Sequence, residues 1–282
     1  AVLGATAQVA GRGELDGLIK RCRWIAAAGA SIGTGLLVYD LGRPERFLNM
    51  LRVFRPSSPL SVGSWVVAAA GPLTAGSAVL SRSGGTAGAI GDAAGYAAGA
   101  VGLPLAGYTA VLMSTTAVPV WSQIRRSLPG LFVASAVTGA ASLLQLLTLN
   151  RREGSIVRRF AVAGATADLA AGLAVERAAG RVEGLGVPLH EGLAGSLLRA
   201  ARALTAGSLA INLFPGRARW KRTAAGILGA LGSAATKFGV FYAGQPSARD
   251  PHATFRQQRA GYGAAEVTGR AAVTGSDQGA AR

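Results

Sequence analysis

Carboxyl groups are scarce in this sequence, and three of them stand where they could carry protons. The 282 residues include 13 Asp and Glu against 29 Lys and Arg. Asp40 and Glu45 follow one apolar stretch, and Asp168 lies in the middle of another. An ionisable group inside an apolar span is costly and commonly functional, so Asp168 either relays protons or holds two helices together. We take Asp40, Glu45 and Asp168 as candidate proton carriers.

Arginines surround the first two carboxyl groups in the connection that follows Tyr39. They are Arg43, Arg46, Arg52 and Arg55. Asp40 and Glu45 can pair with Arg43 and Arg46 at the edge of a membrane, where partial desolvation strengthens ion pairs. The segment is therefore either an interfacial salt-bridge clasp or a surface that docks a partner or opens a ligand pocket.

Tyr108 is the second feature with possible chemistry. A tyrosine hydroxyl inside an apolar helix needs a hydrogen-bond partner. It can donate to the carbonyl oxygen of a quinone or to a neighbouring backbone carbonyl. Trp121 follows closely and is typical of the aromatic belt at a membrane interface. We name Tyr108, Tyr39 and Trp121 as candidate quinone contacts.

The elements that must position these residues are membrane helices. Half of the residues are hydrophobic and 15% are charged, whereas a soluble domain carries about 25% charged residues. Mean hydropathy is +0.36. Apolar stretches predict seven spanning helices, at residues 24–39, 62–80, 97–116, 131–149, 160–175, 203–214 and 223–243. Residues 1–10 are too short to span and read as the end of a truncated first helix, which makes eight.

We therefore expect an all-α integral membrane protein, a polytopic helix bundle over residues 1–257. Residues 258–282 form a disordered or partner-bound tail. The net charge of +16 falls in connections on both faces, with a weak excess on the face that includes Arg151 and Arg222, which we place in the cytoplasm. Such a charge-poor, apolar chain does not favour nucleic-acid binding.

The sequence offers few ligands for a redox centre. Cys22 is the single cysteine, and His190 and His252 are the two histidines. A lone cysteine cannot hold an iron–sulfur cluster, and neither histidine lies in a predicted span. We therefore expect no haem, no iron–sulfur cluster and no other metal in this chain.

Residues 40–56, DLGRPERFLNMLRVFRP, followed by residues 58–65, SPLSVGSW, resemble the signature of the NrfD/PsrC family. Segments at residues 108–121 and 236–251 are similar to later parts of the family. The members are membrane anchor subunits of molybdopterin oxidoreductases, polysulfide reductase among them. The resemblance implies an eight-helix bundle in the bacterial cytoplasmic membrane that exchanges electrons and protons with a quinone pool, either menaquinone or ubiquinone.

The resemblance also implies partners and roles. An iron–sulfur subunit with four clusters would connect this chain to a molybdopterin catalytic subunit. Tyr108 matches a position that contacts the quinone in the family, and the four arginines of the 43–55 segment would meet the iron–sulfur subunit. Two alternatives stay open at this point: a polytopic secondary transporter, which Gly- and Pro-interrupted helices suit, and a purely structural membrane anchor.

Overall fold

The protein is helical throughout the part of the chain that its computed structural model describes, residues 1–11, 13–181, 184, 186–214 and 218–250. No strand occurs in these residues, which confirms the predicted all-α class. The eleven described helices are α1 (Val2–Ala10), α2 (Asp16–Asp40), α3 (Arg46–Met50), α4 (Pro59–Leu80), α5 (Gly85–Ser114), α6 (Pro119–Gln123), α7 (Leu128–Gln145), α8 (Arg151–Ala179), α9 (Val187–His190), α10 (Gly192–Leu213) and α11 (Arg219–Arg249). The tail predicted at residues 258–282 lies outside the described residues.

The longer helices form two rings of four. In the first bundle α1 packs against α2 and α5, and α4 packs against the same two helices. In the second bundle α7 and α10 each pack against both α8 and α11. Helices α5 and α7 join the two bundles. Small residues make the close approaches possible, as at Gly91, whose backbone lies against Leu80.

Successive long helices run antiparallel, so their connections alternate between two faces. Face 1 holds the connections α1–α2, α4–α5, α7–α8 and α10–α11, and face 2 holds α2–α4, α5–α7 and α8–α10. Ion pairs across face 1 support the charge grouping expected from the sequence. Arg21 of α2 contacts Glu153 of α8 at 2.9 Å, and Arg152 pairs with Glu14.

Four of the seven predicted spans, α4, α5, α7 and α11, are long and apolar enough to cross a membrane. The predicted stretches 24–39, 160–175 and 203–214 form the long helices α2, α8 and α10, but these helices are not among the four. Charged side chains lower their hydropathy, for example Arg158, Arg159 and Asp168 in α8. Length and hydropathy therefore establish a polytopic membrane protein but not all seven crossings.

Polar residues set several helix ends. Ser58 caps α4 by accepting a hydrogen bond from the Ser61 amide, and Asn150 and Glu153 form a reciprocal capping box at the start of α8. Pro72 and Pro104 lie inside α4 and α5, as membrane helices tolerate. Four predicted helix starts were wrong: α2, α5, α8 and α10 begin at Asp16, Gly85, Arg151 and Gly192 rather than at residues 24, 97, 160 and 203. The first turns of these helices are rich in charged or Gly and Ala residues and therefore lack strong hydropathy.

Candidate functional site

The connection between α2 and α4, here the 41–58 loop, carries five of the ten candidate residues and lies on face 2. Gly42 turns the chain after α2 with φ +66°, a conformation that favours glycine. Asp40, Arg43 and Glu45 are exposed, and no ion pair joins Arg43 to either carboxylate. The expected pairing with Arg43 is therefore not formed, since exposed charges gain little from it. Arg46 is the first residue of α3.

The 41–58 loop presents basic and apolar side chains outward. Arg52, Arg55 and Phe54 are exposed. The Phe54 ring meets the Trp65 ring of α4 edge-on, with centroids 6.0 Å apart. Ser61 fixes the loop because its Oγ accepts from the Arg55 amide at 3.0 Å and donates to a loop carbonyl at 3.2 Å. The loop is therefore held in place while Arg52 and Arg55 stay exposed.

Tyr108 of α5 packs against the first turns of α4. Its ring lies so close to Gly63 that a Cβ at this position would overlap the ring. The next α4 residue, Ser64, donates from its hydroxyl to the Met50 sulfur at 3.7 Å, and Trp65 follows with its ring contact to the loop. Three consecutive residues of α4 thus connect Tyr108 with the 41–58 loop.

The three aromatic candidates differ in how their polar groups are used. Tyr108 is half-buried, and no described residue hydrogen-bonds its hydroxyl. Tyr39 is 84% exposed in the last turn of α2, just before the 41–58 loop. Trp121 donates its indole N–H to the Val240 carbonyl at 2.9 Å and packs against Gly244. Trp121 therefore uses its single donor to join α6 to α11, whereas Tyr108 has a donor available for a ligand.

Asp168 lies in the second bundle, apart from these residues. Its side chain is buried, and its Oδ2 has no hydrogen-bond partner. Lys237 of α11 interacts with it electrostatically, but no direct ion pair forms between them. The Lys237 ammonium instead donates to the hydroxyls of Ser135 and Ser233, both at 3.1 Å. A buried carboxyl group with an unsatisfied oxygen beside a cation is a typical functional arrangement.

A small cavity of about 40 Å³ adjoins Asp168. Glu176, Arg202 and Thr205 also line it, and Thr205 Oγ1 is a second buried atom without a hydrogen-bond partner. Glu176 contacts Arg202 at 2.5 Å. The lining is otherwise mostly apolar, but a cavity of this size with polar groups in its wall has room for about two or three water molecules. The eight-residue spacing that places Asp168 and Glu176 on one helix face thus brings both to one cavity that extends toward face 2.

The sequence interpretation missed a buried network in the first bundle. Arg23 is 8% exposed, and its Nη2 donates to Asp92 Oδ1 at 2.7 Å and to Gln8 Oε1 at 2.9 Å. The Gln8 amide donates in turn to the Asp92 carbonyl at 3.2 Å. Arg23 and Asp92 both precede the predicted spans at residues 24–39 and 97–116, so the sequence places both in connections. One signal was available, since Asp92 is the only acidic residue between Glu45 and Glu153.

Residues 2–88 match the family model described as Polysulphide reductase, NrfD. The predicted resemblance to the NrfD family is confirmed over these residues. The NrfD match includes α1 to α4 and the whole 41–58 loop, and together with the four apolar helices it identifies a multi-pass membrane protein. Neither a curated protein nor a solved structure matches the chain. Tyr108, Trp121 and Asp168 lie beyond the NrfD match, so their assignment depends on geometry and on the sequence resemblance.

Proposed function

We propose that this chain is the membrane anchor and quinone-reactive subunit of a multi-subunit molybdopterin oxidoreductase. It passes electrons between the quinone pool and an iron–sulfur partner subunit that carries four clusters and leads to the molybdopterin catalytic subunit. The observation that carries the proposal is the connection from the exposed 41–58 loop through Gly63, Ser64 and Trp65 to Tyr108. The loop and these α4 residues lie within the NrfD match.

In this proposal the partner docks on the 41–58 loop, where Arg43, Arg46, Arg52 and Arg55 supply the positive charge. A quinone bound at Tyr108 would then lie directly inside the docking surface. Reduction of the quinone takes two electrons and two protons, and oxidation of the quinol releases both. The Tyr108 hydroxyl donates a hydrogen bond to one quinone oxygen and orients the ring, while the exposed Tyr39 borders the entrance.

In this proposal, protons move along polar groups that lead toward face 2. Asp168 and Glu176 share one cavity, and water in that cavity would link the two carboxyl groups. Asp40 and Glu45 are exposed at face 2 and exchange protons with solvent beside the docked partner. The arrangement supports proton transfer between the bundle interior and face 2.

The topology in this proposal has seven full crossings in the bacterial cytoplasmic membrane. Helices α2, α8 and α10 cross together with the four apolar helices because each is a member of a closed ring of four. The buried charge in α2 is paired at Arg23. Face 1 faces the cytoplasm, as its excess of Lys and Arg predicts.

Tyr108→Phe tests the proposed quinone site. In the assembled complex this change removes the hydroxyl and keeps the ring against Gly63, so we expect quinone-dependent turnover to fall about tenfold, the effect of one lost hydrogen bond. Tyr96→Phe, on the same helix, is the matched control and leaves turnover unchanged. Full turnover in Tyr108→Phe would remove the site assignment.

Purification distinguishes the alternatives. The proposal expects the chain to copurify with an iron–sulfur subunit and with quinone. A chain that purifies alone and moves a solute across vesicle membranes is a secondary transporter instead. A complex that assembles but is unaffected by quinone-site inhibitors leaves this chain as a purely structural anchor.

A further inference from the structure

A basic cavity of about 750 Å³ opens on face 1 of the second bundle. It lies where α7 and α10 end and where α8 and α11 begin. Arg151, Arg158, Lys221 and Arg222 line it, and none of its described lining residues is acidic. Because α7 and α11 are apolar helices of spanning length, the cavity lies at the boundary between the membrane and water.

The four cations at this cavity have no described carboxylate as an ion-pair partner. Two other arginines on the same face are neutralised within the protein. Arg21 pairs with Glu153, and Arg152 pairs with Glu14. The positive charge of the cavity is therefore left for a ligand, whereas the charges of Arg21 and Arg152 are paired within the protein.

Backbone carbonyls hold two of these guanidinium groups at the cavity. Arg222 donates from Nε to the Gln145 carbonyl and from Nη2 to the Leu147 carbonyl, both at 3.3 Å. Arg158 Nη1 lies 3.5 Å from the Asn212 carbonyl. A guanidinium group has five N–H donors, so further donors stay free on each arginine. The start of α11 adds positive partial charge, and its N-cap, Ala218, supplies no side-chain acceptor.

We propose that this cavity binds the phosphate of an anionic phospholipid, with phosphatidylglycerol as the representative headgroup. Guanidinium groups match phosphate oxygens in charge and in two-point geometry. Phe214 lines the cavity and is 69% exposed. Leu213 and Trp220, next to the lining residues Phe214 and Lys221 in the chain, are 60% and 67% exposed. These side chains offer apolar surface to acyl chains, which a free phosphate would not use. Basic pockets between membrane helices are common headgroup sites.

This site is independent of the proposed quinone function because it lies on the opposite face. Its test uses the delipidated complex, titrated with phosphatidylglycerol or with phosphatidylcholine of the same acyl chains and measured by native mass spectrometry. The double variant Arg158→Gln/Lys221→Gln removes two cavity charges. The control Arg159→Gln/Arg219→Gln removes the same charge from the same two helices outside the cavity.

We expect phosphatidylglycerol to bind the unmodified protein more tightly than phosphatidylcholine, and its affinity to fall about tenfold or more in the cavity variant. The control should change by less than about twofold. Equal losses in both variants would mean that the lipid is attracted to basic surface in general, and they would overturn the proposed site. Inorganic phosphate that binds as tightly as the lipid would overturn the lipid assignment. Equal binding of both lipids by the unmodified protein would also overturn it, and this arm needs no variant to fold.

Discussion

The two bundles bury ionisable groups in opposite ways. In the first, Arg23 meets Asp92 at 2.7 Å and Gln8 at 2.9 Å, and Gln8 also bonds the α5 backbone. In the second, Asp168 and Lys237 interact electrostatically but form no direct ion pair, and Asp168 Oδ2 has no hydrogen-bond partner. The first arrangement joins three helices, whereas the second places an unsatisfied acid beside a cavity.

The two arrangements suggest different roles, stabilisation of the fold in the first bundle and proton chemistry in the second. The Arg23 network contains a direct ion pair to Asp92, and such a network holds together the helices that supply it, although the buried Arg23 Nε has no hydrogen-bond partner. An unsatisfied buried polar atom costs roughly 1–3 kcal/mol, and such a cost is typical of functional sites in membrane spans. We therefore propose that the Arg23 network stabilises the fold and that Asp168 transfers protons, and each proposal predicts a different response to substitution.

The largest effect is expected for Asp92→Ala. This change leaves the buried Arg23 guanidinium without its carboxylate, so the free energy of unfolding should fall by about 2–3 kcal/mol. Thermal unfolding of the detergent-solubilised protein measures the loss. Glu14→Ala is the control because it breaks an exposed pair with Arg152, worth less than about 1 kcal/mol. Equal small losses for both variants would show that the Arg23 network does not stabilise the first bundle.

The second-largest expected effect is a coupling free energy measured by double-mutant cycles. The coupling between Arg23→Met and Asp92→Asn should be about 2 kcal/mol, because the two side chains share a direct ion pair. The coupling between Lys237→Met and Asp168→Asn should stay below about 1 kcal/mol, since no direct pair joins them. Unfolding free energies of the four single and two double variants measure both values. Similar couplings in the two bundles would remove the distinction between them.

The sequence predicted the helices well where hydropathy is continuous. All seven predicted stretches form helices, and Asp168 was correctly expected inside one of them. The start of α5 was missed because Gly- and Ala-rich turns have little hydropathy signal, although packing and the Asp92 contact hold them. Tertiary partners of this kind are set by helices distant in sequence, so no local pattern predicts them.

In the candidate site, too, the contacts between helices could not be predicted from the sequence. The motif at residues 40–65 was sufficient to predict the family, and the NrfD match includes it. The sequence could not show that Gly63 receives the Tyr108 ring, nor that Trp121 donates its N–H to Val240. Both contacts join different helices, and only the packed bundle brings them together.

The smallest effect on stability is expected for Asp168→Asn. The amide has nearly the shape of the carboxyl group and breaks no direct ion pair, so the free energy of unfolding should change by less than about 1 kcal/mol. It carries no titratable proton, however, and quinone-dependent turnover in the assembled complex should fall at least about a hundredfold if Asp168 transfers protons. Both quantities are measured on the same preparation.

Asp168→Glu sharpens this test because it keeps the acid, and the adjoining cavity has room for the longer side chain. We expect Asp168→Glu to recover part of the turnover that Asp168→Asn loses. A structural role would give the opposite pattern. Asp168→Asn would then lower stability by 2 kcal/mol or more, on the order of the loss expected for Asp92→Ala, while turnover per folded complex stayed unchanged. In that case the second bundle would bury its carboxyl group for helix pairing, as the first bundle does.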